Sequence, residues 1–162
     1  MSSNRVTIIG INLISASIAL GLQAYEDPIE VVGYDADRAV ADLAKVRGIF
    51  EDVRRKPGPA CEGASLVIVA EPLADIEKTF AAISPHLEEG AVVTDTARLK
   101  APVLRWAENL LPARASFIGG HLIPNPAVIG LQTLEGLDDA SADLLQEALY
   151  CFTPSPQASS AS

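Results

Sequence analysis

The feature that most constrains this chain is its alternation of short β-branched runs with stretches of helical period. Val6-Thr7-Ile8-Ile9 is too apolar for a strand with one wet face, so it belongs in a sheet covered on both sides. It ends at Gly10. From Leu13 to Ala24 small and aliphatic residues recur at helical spacing, with Ile14, Ile18 and Leu22 on one stripe. Ile29 to Tyr34 predicts a second strand ending in Asp35, and Ala39 to Val46 a helix stopped by Gly48. Arg54 to Pro59 reads as a polar loop rich in helix breakers. Ser65 to Ala70 is the third clear strand and the most central by composition. Behind Pro72, the apolar positions Leu73, Ile76, Phe80 and Ile83 set a helix. Ala91 to Asp95 reads as a strand, Pro102 as a helix start, and Ser116-Phe117-Ile118 as a short strand closed by Gly119-Gly120. Asp138 to Ala148 looks helical, and Leu149 to Thr153 forms a last strand.

Strands alternating with helices of this length imply right-handed parallel βαβ units. The expected fold is therefore α/β, a Rossmann-type doubly wound and mostly parallel sheet with helices on both faces. It occupies residues 1–153 of the 162, and 154–162 form a Ser/Ala/Pro tail or a linker. Ligands in such sheets bind at the carboxyl ends of the strands. That rule gathers Gly10, Asp35, Glu71, Asp95 and His121 on one rim.

Charge and composition narrow the function. The net charge is −9, without the basic footprint that nucleic acid demands. No run approaches the roughly 20 apolar residues that cross a bilayer. Cys61 and Cys151 cannot build a disulfide framework, and no C-x-x-C pair offers a metal site, so a reducing, cytoplasmic setting is expected. The last basic residue is Arg114, followed by five acidic residues up to Ser162. An anionic ligand must find its positive partners earlier in the chain.

A dinucleotide fold needs a tight turn after its first strand, so that a pyrophosphate meets the free N–H groups of the first helix. The usual G-x-G-x-x-G is here Gly10-Ile11-Asn12-Leu13-Ile14-Ser15, with only the first glycine kept. Asn12 tolerates unusual backbone and carries an amide donor, but it fills space that glycine leaves open. Ser15 is small enough for close helix–strand packing. Asp35, 25 residues after Gly10, stands where a carboxylate holds the adenosine ribose and disfavours the 2′-phosphate of NADP. NAD is thus preferred, and Arg38 keeps NADP open. Read blandly, Gly10 is a turn glycine and Asp35 a helix cap.

Val6-Thr7-Ile8-Ile9-Gly10, Leu13-Ile14 with Ser17, Val32-Gly33-Tyr34-Asp35, Val92-Val93-Thr94-Asp95 with Lys100, and Gly119-Gly120-His121 stand in the order found in prephenate and arogenate dehydrogenases. The chain resembles that family over nearly its whole length. The resemblance implies NAD(P)-dependent oxidative decarboxylation of prephenate or arogenate in tyrosine biosynthesis. It makes His121 the catalytic group, an imidazole able to take a ring hydroxyl's proton near neutral pH. Gly10, Ile11, Asn12, Leu13, Ile14, Ser15, Asp35, Arg38, Glu71, Pro72 and Asp95 become the cofactor set. Arg98 and Lys100, with His121, become the contacts for an anionic small-molecule substrate. As an alternative, His121 is a loop residue bonding a carbonyl, and His86 is a helix-end residue near the negative end of a dipole.

Four departures from the family pattern bear on that transfer. Asn12 and Ser15 replace glycines. Arg98 stands where the family carries a serine. Leu122-Ile123-Pro124-Asn125-Pro126 replaces the usual continuation of Gly-Gly-His, and the 162 residues reach only to the place where the family's helical domain, which makes its dimer and supplies substrate cations, is expected to begin. The three on the ligand rim point to altered specificity, weakened cofactor binding or lost activity. The competing readings are a non-catalytic dinucleotide-binding or regulatory module and a Rossmann reductase for another small carboxylate or imine. The apolar pairs Leu122-Ile123 and Val128-Ile129 suggest a surface for a helical domain or a second copy.

Overall fold

In a computed structural model, which describes residues 4–129 and 136–155, seven strands form one sheet in the order β3-β2-β1-β4-β5-β6-β7. The strands are β1 Arg5–Ile9, β2 Glu30–Tyr34, β3 Asp52–Arg54, β4 Leu66–Val69, β5 Val92–Asp95, β6 Ser116–Ile123 and β7 Leu149–Pro154. All neighbours pair in parallel except β6 and β7. Helices α1 Leu13–Gln23, α2 Arg38–Val46, α3 Pro57–Cys61, α4 Leu73–Ile83, α5 Lys100–Leu110 and the short α6 Pro126–Ile129 make the connections.

Period two decides which face each strand residue serves. On β1 and β4, Ile9, Val67 and Val69 join the core under α3, α4 and α5, whereas Val6, Ile8 and Ile68 join the core under α1 and α2. Both faces are dry, as the continuous apolar runs require. Thr7 is fully buried among them because its hydroxyl donates to the Ala60 carbonyl at 2.7 Å. On α4 the stripe Ile76, Phe80 and Ile83 has no exposed surface, and Phe80 meets Phe117 edge-on at 5.5 Å. β4 holds the middle position, as its composition predicts.

Four expectations are corrected. Arg54 to Pro59 is not a loop throughout: Asp52–Arg54 pairs with β2 as an edge strand, and Pro57 opens α3. α5 begins at Lys100, two residues before Pro102. β6 does not stop at Ile118 but runs on through both glycines and His121 to Ile123, because β7 pairs with it from Pro154 to Leu149. Asp138 to Ala148 is not one helix but two 3-10 turns, Leu137–Asp139 and Ala142–Leu145. Ser141 is extended between them and Glu147 adopts φ 56°, so no continuous ladder of i to i−4 bonds forms. Leu137 and Leu144 are buried, and the Ser141 N–H donates to Ser17 Oγ on α1. Pro154 lies within β7 and Ser155 is buried; the rest of the expected tail, 156–162, lies outside the described residues.

Candidate functional site

The sheet order reverses between β1 and β4, the place where doubly wound sheets open a crevice at their carboxyl edge. A cleft of about 470 Å³ lies there. Its wall is built from the ends of β1 (Gly10, Ile11, Asn12), β2 (Tyr34 to Asp37) and β4 (Ala70, Glu71, Pro72), with Asp75, Lys78 and Thr79 of α4 opposite. Gly10 takes φ 89°, and a Cβ there would stand 2.8 Å from the Glu71 side chain and 2.9 Å from the Ala70 backbone. Only glycine lets the chain turn this close to β4.

Asp35 ties the second strand to this turn. One carboxylate oxygen accepts the Ile11 N–H and the other the Asp37 N–H, both at 2.7 Å. It is not the helix cap of the bland reading, since Asp37 caps α2 through the Ala39 N–H. Each oxygen retains a second lone pair, so ribose hydroxyls still have acceptors. Beyond Asp35 a second cavity of about 220 Å³ is lined by Arg38, Lys45, Arg54 and Arg55 against Asp35 and Asp42. Arg38 thus stands in a basic cavity adjoining the acidic cleft.

The adenosine side therefore suits a dinucleotide, with an open cleft, a carboxylate and a turn that excludes a Cβ. The phosphate side is different. Asn12 is the N-cap of α1: its side-chain oxygen accepts from the Ile14 and Ser15 N–H groups at 3.0 and 3.1 Å, and its amide donates to the Ala70 carbonyl at 2.8 Å. The Asn12 N–H in turn donates to Ser15 Oγ. Ser15 is fully buried, as close helix packing requires. Glu71, at the end of β4, hydrogen-bonds Thr79; burial, foremost, raises its carboxyl above the usual range, with Asp75 and Asp35 adding to that and Thr79 opposing it.

The other expected residues gather at β5 and β6. Asp95 has no exposed surface, and its carboxylate accepts from Lys100 Nζ at 2.5 Å and from the N–H groups of Ala97 and Gly120 at 3.0 Å. Lys100 also donates to the Gly120 carbonyl at 2.5 Å. Tyr150 of β7 closes the group by donating to the Asp95 carbonyl. A Cβ on Gly120 would lie 2.5 Å from both Tyr150 and the Asp95 carbonyl, which explains the Gly-Gly pair as a packing requirement. Lys100 is thus not a free rim cation but half of a buried ion pair, and Asp95 braces β5 to β6 away from the cleft lining. His121 follows, half-buried, with Nδ1 3.4 Å from the Thr96 carbonyl. Arg98 is exposed on the loop after β5.

Sequence reading missed several cleft residues: Tyr34, Asp37, Asp75, Lys78 and Thr79. Asp75, Lys78 and Thr79 were legible as one face of α4 by their i, i+3, i+4 spacing. Tyr150 carried no local signal, because its role arises from pairing with Leu122, 28 residues distant in the chain. His86 bonds Glu62 at 2.9 Å, away from the cleft lining. Cys61 is buried, which pushes its thiol up to about 12 and leaves no thiolate for chemistry.

Comparison with known proteins gives a consistent result. A family model described as the nucleotide-binding domain of prephenate dehydrogenase matches residues 18–161. The prephenate dehydrogenase of Lactococcus lactis subsp. cremoris is 28% identical over 155 residues, covering 94% of this chain and 42% of that protein. The cyclohexadienyl dehydrogenase of Zymomonas mobilis is 28% identical over 151 residues, 93% of this chain and 49% of its own length. The chain thus spans less than half the length of these two relatives. Among solved structures, Synechocystis arogenate dehydrogenase superposes with a TM-score of 0.81 at 24% identity, over 96% of this chain and 52% of that one. Prephenate dehydrogenase from Aquifex aeolicus, in complex with hydroxyphenyl propionate and NAD+, gives 0.80 at 22% identity, over 98% and 53%. At such identities the structural likeness speaks to the fold.

Proposed function

Because this chain belongs to the family of prephenate dehydrogenase nucleotide-binding domains, we propose that it is the NAD-binding half of an oxidoreductase for prephenate or arogenate, completed by a helical domain. The observation that carries the reading is the cleft at the β1–β4 switch point, with Asp35 turned toward the Gly10 turn. NAD, when bound, supplies an oxidised nicotinamide ring that accepts a hydride. Asp35 holds the adenosine ribose, and Gly10, Glu71 and Pro72 wall the approach. The basic cavity of Arg38, Arg54 and Arg55 supports NADP as a second cofactor.

His121 works on the other side of the rim. With its Nδ1–H donated to the Thr96 carbonyl, Nε2 keeps the lone pair that takes the proton of a substrate hydroxyl. Arg98, exposed two residues after the Thr96 that holds His121, meets a substrate carboxylate. Lys100 acts indirectly, by fixing the backbone of Gly120 next to His121. A prephenate dianion needs more cations than this, which is the reason for invoking the helical domain. Ile123, Leu149 and Phe152 leave 43%, 65% and 65% of their surface exposed on β6 and β7, and a helical domain or a second copy would cover them. The Val128 and Ile129 side chains lie outside the described residues. No helix among the described residues is long and apolar enough to cross a membrane, and the reading puts the enzyme in the cytoplasm.

Calorimetric titration with NAD+, NADH and NADP+ tests cofactor binding. Absorbance of the reduced cofactor, with prephenate and a helical partner domain added, tests turnover. His121→Asn is expected to lower turnover by about 10²–10⁴-fold with cofactor affinity unchanged. Binding without any turnover favours the non-catalytic module instead, and absence of binding removes both.

A further inference from the structure

The N–H groups at the start of α1 are already taken by the chain itself. Ile11 donates to Asp35, Asn12 to Ser15 Oγ, and Ile14 and Ser15 to Asn12 Oδ1. From 11 to 15, Leu13 alone has no acceptor among the described residues. Ser15 Oγ passes the chain of bonds on to the Gly10 carbonyl at 2.8 Å, so the turn is closed on both sides. The amide of Asn12 reaches across the crevice to the Ala70 carbonyl at the end of β4. Its side chain therefore lies as a bar over the place where a phosphate would enter, bonded at both ends. Among the described residues, the cleft around it is lined by four carboxyl groups, Asp35, Asp37, Glu71 and Asp75, against the single ammonium of Lys78.

We infer that Asn12 is a built-in competitor of the cofactor's pyrophosphate, which binds only when the Asn12 side chain leaves Ile14, Ser15 and Ala70. This rests on the dinucleotide reading above. The physical exchange is one acceptor for another. A neutral amide oxygen satisfies two N–H groups that would make stronger, charge-assisted bonds to a phosphate oxygen. The Asn12 side chain also loses its three bonds when it swings out. The net effect is an affinity lowered for every ligand that carries the diphosphate and unchanged for the nucleoside alone, which makes Asn12 a residue that sets cofactor affinity and selectivity. Its backbone, at φ −141° and ψ 179°, is ordinary extended chain, so glycine, alanine or aspartate can replace it without backbone strain.

The test is titration calorimetry on the 162-residue chain with NAD+ and, separately, adenosine. Asn12→Gly and Asn12→Ala are each expected to bind NAD+ about fivefold or more tightly than the parent, with adenosine affinity unchanged. Asn12→Asp keeps the cap but adds a charge beside the phosphates, and NAD+ affinity is expected to fall. In the parent protein, added NAD+ should release the Asn12 side-chain amide, seen as faster exchange of its NH2 protons with water. Parent binding with no gain in Asn12→Gly and Asn12→Ala overturns the inference and leaves the dinucleotide reading standing. An equal gain for adenosine also overturns it, and absence of NAD+ binding by all four proteins overturns both.

Discussion

At the ends of β1 and β2 the polar groups face an open cleft and bond to backbone N–H groups of the turn, whereas around Asp95 at the end of β5 they are sealed and bond to one another. Asp35 and Asp95 both stand at the carboxyl end of a buried strand, Asp35 one residue past β2 and Asp95 as the last residue of β5. Asp35 is partly exposed in the cleft wall; Asp95 has no exposed surface and carries Lys100 as its counter-ion. The contrast teaches that the same residue at the carboxyl end of a strand serves a ligand or the scaffold according to what closes over it. Here the closing element is β7, whose Tyr150 lies over Asp95 and has no counterpart over Asp35 among the described residues.

Breaking the sealed side should cost most. Lys100→Met leaves the Asp95 carboxylate buried without its counter-ion, and unfolding in urea should reveal a loss of about 3–5 kcal/mol. A loss under 1 kcal/mol would mean that the N–H groups of Ala97 and Gly120 suffice, and the two sides would then be alike. On the open side Asn12→Ala removes a helix cap and the bond to the Ala70 carbonyl, for an expected loss of about 1–2 kcal/mol in the same measurement.

The smallest effect is a slope. Glu71 titrates above its ordinary range in the folded protein, chiefly through burial, so the folded state holds a proton where the unfolded chain has lost it. Stability should therefore fall as pH rises from the ordinary carboxyl range through the raised value, and be level above it. Glu71→Gln should remove that slope. Thermal unfolding across this window measures the difference, and parallel curves for the two proteins would show that the cleft imposes no penalty on the charge.

Much of this was legible in the primary structure. Both buried faces of β1 and β4 follow from continuous β-branched runs, and α1, α2 and α4 from the spacing of their apolar residues. The edge strand β3 was not, because three residues are too few for a period. The segment 138–148 misled because its helix-forming composition ignores the pull of Leu137 and Leu144 into separate places against the core. Gly119-Gly120 looked like a stop. Glycine is a breaker by local propensity, yet here it continues β6 because β7 supplies the partner and Asp95 and Tyr150 leave no room for a side chain.

For the site the division is similar. Gly10, Asp35 and Glu71 came from chain order and the carboxyl-end rule, and the cleft gathers all three. Lys100 was misjudged because a lysine near a rim reads as free until its distance to a buried carboxylate is known. Asn12 could be named as a departure, and its two capping bonds are local, but the bond that makes the cap a bar runs to Ala70, 58 residues away.

The sequence by itself determined the doubly wound sheet, its dry faces and the rim where a ligand must sit, since period and chain order are local and additive. Only the tertiary structure decided which polar groups on that rim remain available. Availability depends on partners brought together from distant segments, and a hydrogen-bonding group committed to its own chain must be released before a ligand can use it.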